Sequence, residues 1–384
     1  MKSPFTYLLA LLLLIGSTSC QEELPLKPNI PLFEIDQFVN NLRESLDEKL
    51  PDYQIMIAQK GNLYKAWAEG NAIYPGDPGG QMEMATNTRM AVASVSKFVG
   101  AIAMAQVLED NNISLDQPIH NYLPPSWKSQ VHPDHWEATS PYFVSFRKLM
   151  QMETGIAFPT DVSMPSANAM LEALKQPAIP ARVGQYQNGN FTLIRILIGE
   201  IFFDLNEKNA DYNDNSAQAY YRYIDQKIFT PAEVQNVAPV NFKTVLPRAH
   251  QYPLKPNFQD DDGNIGWLAA ANVMNSAGSG GLYLSVMDLG GLMAYFRYTE
   301  DILSAEMRAA IMDSELGLSE STDGDYGRYL TKQGTRGPED CCDRAFKSII
   351  MMFPNEIEVA LLINANFKSA RTLIKQSYDE AWTN

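Results

Sequence analysis

The chain has 384 residues, 45% hydrophobic and 20% charged, so it can bury a large core and is too apolar to stay disordered. Acidic residues outnumber basic ones 45 to 30, a net charge of −15. That balance argues against nucleic acid as a partner, because phosphate binding needs a cationic face and no Lys/Arg run occurs, and it disfavours a protein held on anionic lipid by charge alone.

Residues 1–19 read as a signal peptide. Met1-Lys2-Ser3 is a short cationic start, Pro4 to Gly16 is Leu-rich, and Ser17-Thr18-Ser19 are small. The apolar run is too short for a comfortable bilayer span. Cys20 follows at once, and the layout resembles a bacterial lipoprotein signal, which implies lipidation at Cys20. Residues 20–31 are then a lipidated cysteine and tether. The expectation is an exported protein, anchored to a bacterial membrane through its N-terminal lipid and facing the periplasm or cell surface. The other two cysteines, Cys341 and Cys342, are adjacent and read as two small, partly buried residues, since a vicinal disulfide needs strained geometry.

From residue 32 to 384 one domain is expected. Leu32 to Leu50 has helical spacing. Tyr53 to Gln59 and Leu63 to Ala68 alternate around Gly61-Asn62, a hairpin. Ser94 to Leu108 is an apolar helix. Residues from about 110 to 310 read mostly as helices and loops. Ala345 to Phe353 and Glu356 to Asn364 form a second hairpin at Pro354-Asn355, and Lys368 to Trp382 closes the chain as a helix. The fold class is α/β (α+β). An antiparallel sheet is built from N- and C-terminal strands (about 32–90 and 311–384) and flanked by terminal helices, with a mainly helical second lobe (about 91–310).

Ser94-Val95-Ser96-Lys97 is an S-x-x-K tetrad opening the apolar helix. Three residues on a helix bring two side chains to one face. A serine hydroxyl needs a neighbouring base, and a lysine in an apolar site loses enough basicity to serve as one. A second tetrad, Ser145-Phe146-Arg147-Lys148, has the same spacing. What separates them is company: Tyr186-Gln187-Asn188 and Lys332-Gln333-Gly334-Thr335 follow Ser94 in the order serine, tyrosine, lysine-glycine.

With these motifs the chain resembles the serine β-lactamase and penicillin-binding-protein superfamily, in its class C β-lactamase-like branch of esterases and D-amino-acid-peptide hydrolases. Asn112 to Ile119, Leu149 to Gly155, and Ala277 to Ser285 with Asp288 are similar to connecting stretches of that family. The Ser145 tetrad falls where the family has no nucleophile and is treated as a decoy. The resemblance implies a β-lactamase/transpeptidase-like fold with Ser94 as the acylated nucleophile. Lys97 and Tyr186 would share the general-base work, Asn188 would orient substrate or hold Lys97, and Lys332 would add positive potential. The backbone N–H groups of Ser94 and Thr335 would form the oxyanion hole, where one lost donor costs roughly 3–4 kcal/mol. Gln333 and Gly334 would line the substrate. Gln333 departs from the Thr common in lactamases, and the segment Arg336 to Arg344 is unusually charged.

No Gly-x-Ser-x-Gly, Walker, dinucleotide or His-Glu-x-x-His pattern occurs, so no cofactor and no metal are expected. Asp211, Asn213 and Asn215 mimic a calcium loop, but Ser216 and Arg222 break it. The reading is a serine hydrolase acting on an ester, a D-amino-acid peptide or a β-lactam-like amide, with a small molecule or peptide as its partner. The alternative is a non-catalytic or slowly turning over protein that binds cell-wall peptides.

Overall fold

The computed structural model describes residues 31–158, 165–205, 209–234, 248–254, 266, 274–318, 322–337 and 344–383. The expected leader, Cys20 and the Cys341-Cys342 pair lie outside them.

Helix α1 (Ile35–Lys49) forms because Phe38, Val39, Leu42 and Leu46 recur on one face, and all four are buried. It is shorter than the spacing suggests. Leu32–Phe33 instead pairs antiparallel with Trp382–Thr383, so the two ends of the described chain meet in a ribbon. Strands β1 (Tyr53–Gln59) and β2 (Asn62–Glu69) follow as the first expected hairpin. Lys60 and Gly61 turn it, both at positive φ (53° and 73°).

The middle of the chain carries α2 (Ser96–Asp110), α3 (Gly189–Phe203), α4 (Tyr212–Ile224) and α5 (Val286–Tyr298), with shorter helices between. Strands then return as β3 (Thr322–Gly324), β4 (Gly327–Arg336), β5 (Phe346–Met352) and β6 (Ile357–Ile363), and α6 (Ala370–Asp379) packs last. Among the described residues six strands form one antiparallel sheet in the order β2-β1-β6-β5-β4-β3. The first and last parts of the chain therefore build the sheet together.

The pleat sorts its side chains. Ile55, Ile57, Ile349, Met351, Val359 and Leu361 pack with α1 and α6. Met56, Ala58, Ile350, Met352, Ala360 and Leu362 pack on the other face with α2 and α5. Every residue from Ser96 to Leu108 is buried, so α2 is a central helix with apolar side chains almost all round. The buried Glu358 of β6 is gripped by Arg297 and Tyr298 of α5, tying that helix to the sheet.

Phe38 is fully buried between Phe33, Phe353 and Tyr378, with ring centroids 5.8–6.2 Å away. Phe38→Ala should cost about 3–5 kcal/mol of stability, seen as a lower denaturant midpoint. An unchanged midpoint would mean that α1 contributes little to the sheet.

Candidate active site

The nucleophile turn is built from three supports. Met90–Ala91 pairs with Tyr283–Leu284, and the Val92 N–H donates to the Leu282 carbonyl at 3.0 Å. Ala93 then takes a left-handed backbone (φ 44°), which a residue with a side chain adopts only under constraint. The turn Ala93–Val95 is 3-10 in geometry, and the α-helix starts at Ser96. Ser94 thus stands just before the helix rather than inside it. The helix was expected from residue 94; a 3-10 turn at its entry has no signature in apolar spacing.

The third support is β4. A Cβ on Gly334 would lie 2.4 Å from the Val92 carbonyl oxygen and 2.7 Å from the Ser94 nitrogen. Strand and turn therefore run backbone to backbone, and only glycine fits. Ser348 on β5 lies opposite Gly334 in the ladder and donates its hydroxyl to the Val92 carbonyl at 2.6 Å, fixing the turn from below.

Lys97 is wholly buried one turn along from Ser94. Its Nζ donates to Ser94 Oγ at 3.0 Å, Asn188 Oδ1 at 2.7 Å and the Ser279 carbonyl at 2.5 Å. Burial, and then the charge of Lys332, push this amine well below the ordinary lysine range. Three oxygen neighbours favour the charged form, but they replace only part of the water an ammonium loses on complete burial.

Asn188 is at the entry to α3, and Tyr186 stands two residues earlier, 53% exposed. The Tyr186 hydroxyl donates to Ser94 Oγ in a short hydrogen bond. Lys97 Nζ lies 4.9 Å and Lys332 Nζ 5.4 Å from the centre of the tyrosine ring. Lys332 is buried on β4. Lys97 and Tyr186, from distant parts of the chain, thus meet at the Ser94 hydroxyl, with Lys332 beside the phenol. Gln333 pairs with Ile349 and Thr335 with Lys347, out of phase with Lys332 and Gly334 on the pleat; Thr335 is exposed beside the turn.

Two participants carried no sequence signal of their own. The Ser279 carbonyl is a backbone group, invisible to residue type, although its glycine-rich stretch stood out. Ser279 and Gly280 donate their N–H groups to the Ser276 carbonyl at 3.0 and 2.8 Å. Gly278 (φ 84°) lets the turn press on α3, where a Cβ would sit 2.4 Å from the Phe191 carbonyl. Ser348 lies in an apolar strand with nothing to distinguish it.

The second tetrad sits elsewhere. Ser145 Oγ accepts the Lys148 N–H at 3.2 Å as a helix cap, while Lys148 Nζ donates to the carbonyls of Pro141 and Phe143. Among the described residues no group of three His, Cys, Asp or Glu side chains is placed to hold a metal ion.

No curated protein matches the chain in sequence. Solved structures do match in fold. FmtA from Staphylococcus aureus superposes with a TM-score of 0.64 at 17% identity, covering 91% of this chain and 90% of that one. A class C beta lactamase from Rhodobacter sphaeroides gives 0.60 at 16% identity, covering 89% and 98%. A beta-lactamase/D-alanine carboxypeptidase from Yersinia pestis gives 0.59 at 16% identity, covering 91% and 96%. The sheet of terminal strands, the helices around it and the match of the Beta-lactamase family model to residues 35–370 agree, and the chain belongs to the beta-lactamase family.

Proposed function

We propose that the protein is a serine hydrolase that forms an acyl-enzyme on Ser94 and releases it to water. The observation that carries this reading is the Lys97 amine, buried and lowered in basicity, in contact with Ser94 Oγ. A neutral amine has two N–H groups and one lone pair. The Asn188 side chain and the Ser279 carbonyl take the two hydrogens, which leaves the lone pair for the serine proton.

Ser94 Oγ then attacks the carbonyl carbon as its proton passes to Lys97, directly or through the Tyr186 oxygen. The carbonyl π bond opens, and the oxyanion faces the backbone N–H groups of Ser94 and Thr335. As the tetrahedral species collapses, the bond to the leaving oxygen or nitrogen breaks and that atom takes the proton. Water repeats the sequence to free the acid. Lys332 keeps positive potential beside the phenol and the site mouth.

An ester or a D-amino-acid peptide ranks above a β-lactam as substrate. Gln333, in place of the Thr common in lactamases, and the charged segment after Thr335 support that order. The leader and Cys20 support an exported protein held by lipid. Cys20→Ser should then move the protein from the membrane fraction to the soluble one; retention on the membrane would refute the anchor.

The test of the reaction is acylation by an activated ester and by a fluorescent penicillin, beside Ser94→Ala. Turnover by the parent and none by Ser94→Ala supports the hydrolase; a labelled Ser94 without turnover supports the peptide-binding alternative. Because the amine must be neutral to act, acylation should fall as pH drops through the lowered Lys97 ionisation. Lys332→Gln removes the charge that helps lower it, so this acid limb should shift to higher pH. An unmoved limb would remove Lys97 from the base role.

Gly334→Ala should slow acylation by about 10²–10³-fold, because its methyl group displaces the Ser94 N–H from the oxyanion hole. The same rate in Gly334→Ala would show that strand and turn need not touch.

A further inference from the structure

The stretch that mimics a calcium loop holds a residue with another use. Asn213 lies in the first turn of α4, and its side chain fills all four hydrogen-bonding places of an amide. Its Oδ1 accepts from Arg195 Nη2 at 2.7 Å and from the Ala167 N–H at 2.9 Å. Its Nδ2 donates to Asn275 Oδ1 at 2.8 Å and to Asp214 Oδ1 at 3.1 Å. Two N–H donors on one atom fix that atom as the oxygen, so the amide has one orientation. This one side chain therefore joins α3 through Arg195, the short helix Ala167–Leu174, and the 3-10 turn Met274–Ser276.

The last of these links leads to the base. Asn275 precedes Ser276, whose carbonyl takes the Ser279 N–H, the Gly280 N–H and the Ser279 hydroxyl at 3.0, 2.8 and 3.2 Å. The Ser279 carbonyl in turn takes a hydrogen of Lys97 Nζ. The other end of the chain of contacts is firmly anchored. Arg195 is fully buried on α3, where a guanidinium has to be hydrogen-bonded, and the glycine-rich turn lies against it: a Cβ on Gly278 would sit 3.3 Å from Arg195 Cβ. A turn with glycine at 278, 280 and 281 does not set its own path, so the aim of its carbonyls has to come from what it is tied to.

We propose that Asn213 and Asn275 form a clamp that aims the Ser279 carbonyl at Lys97, which makes both of them positioning residues for acyl transfer. The inference rests on Lys97 as the base for Ser94. The clamp touches neither substrate nor reacting atoms, and no bond is made or broken in it. Held by the Ser279 carbonyl and by Asn188, the amine keeps its lone pair on Ser94. With the turn loose, the amine rotates and the lone pair faces Ser94 less often.

The test is single-turnover acylation by an activated ester, resolved into a limiting rate and a half-saturating concentration. Asn213→Ala and Asn275→Ala should each lose about tenfold in the limiting rate and keep half-saturation within about twofold. Both act through one hydrogen bond, so the double variant should be no slower than Asn213→Ala. Asn275→Asp still offers an oxygen to Asn213 Nδ2 and should recover part of the rate. Asn275 is only partly buried, so Asn275→Ala keeps the test open if Asn213→Ala does not fold. The parent rate in Asn275→Ala, losses that multiply in the double variant, or a change in half-saturation alone would overturn the clamp. Hydrogen exchange at the Ser279 and Gly280 amides reads the same clamp without chemistry. It should quicken at least about tenfold in Asn275→Ala while the amides of β1 and β6 keep theirs; unchanged exchange would also overturn the proposal. If Ser94 does not react, the acyl-enzyme reading fails alone, and exchange decides for or against the clamp.

Discussion

Two stretches of backbone, at Gly334 and Ser94, come closer than any side chain allows, and the site depends on that approach. It sets the Ser94 N–H against the strand edge where Thr335 follows. It also explains the supports on either side. Ser348 holds the Val92 carbonyl, the Leu282 carbonyl holds the Val92 N–H, and Ala93 takes up the strain of the bend. The strand arrives from the C-terminal part of the six-stranded sheet, and the turn from the Met90–Ala91 segment, which pairs with Tyr283–Leu284 outside that sheet.

A second constraint follows from where α2 lies. A helix buried on nearly every side can hold a lysine only if the protein supplies its polar partners. Those partners come from α3 through Asn188 and from the glycine-rich turn through the Ser279 carbonyl. The same burial that makes the lysine awkward to fold makes it a useful base. Lys332 strengthens the effect from β4, so the sheet contributes charge as well as shape.

The parts legible in the sequence were those with a period or a spacing. Alternation revealed both hairpins to within a residue or two, and the helical stripe revealed α1. The S-x-x-K, Y-x-N and K-x-G motifs named Ser94, Lys97, Tyr186, Asn188, Lys332 and Gly334, which the fold brings to one place. What escaped has physical reasons. The Leu32–Phe33 and Trp382–Thr383 ribbon is two residues long on each side, too short for any pattern. The 3-10 turn at Ala93 is imposed by its neighbours and not by its own residues. The Ser279 carbonyl would be present whatever side chain stood there. Asn213 looked like part of a broken calcium loop, because its four partners come together only once helices and turn are packed.

The buried amine also couples the fold to protons. In the unfolded chain Lys97 is an ordinary lysine with a pKa of about 10.4, whereas folding holds it well below that. Below that unfolded value, unfolding takes up a proton and folding releases one. The penalty on the native state is absent at higher pH, grows as the solution is acidified, and levels off once the folded amine is itself protonated. Thermodynamic resilience is thus surrendered at neutral pH for the sake of reactivity, and this protein should be more robust in alkali than its other ionisable groups alone would make it.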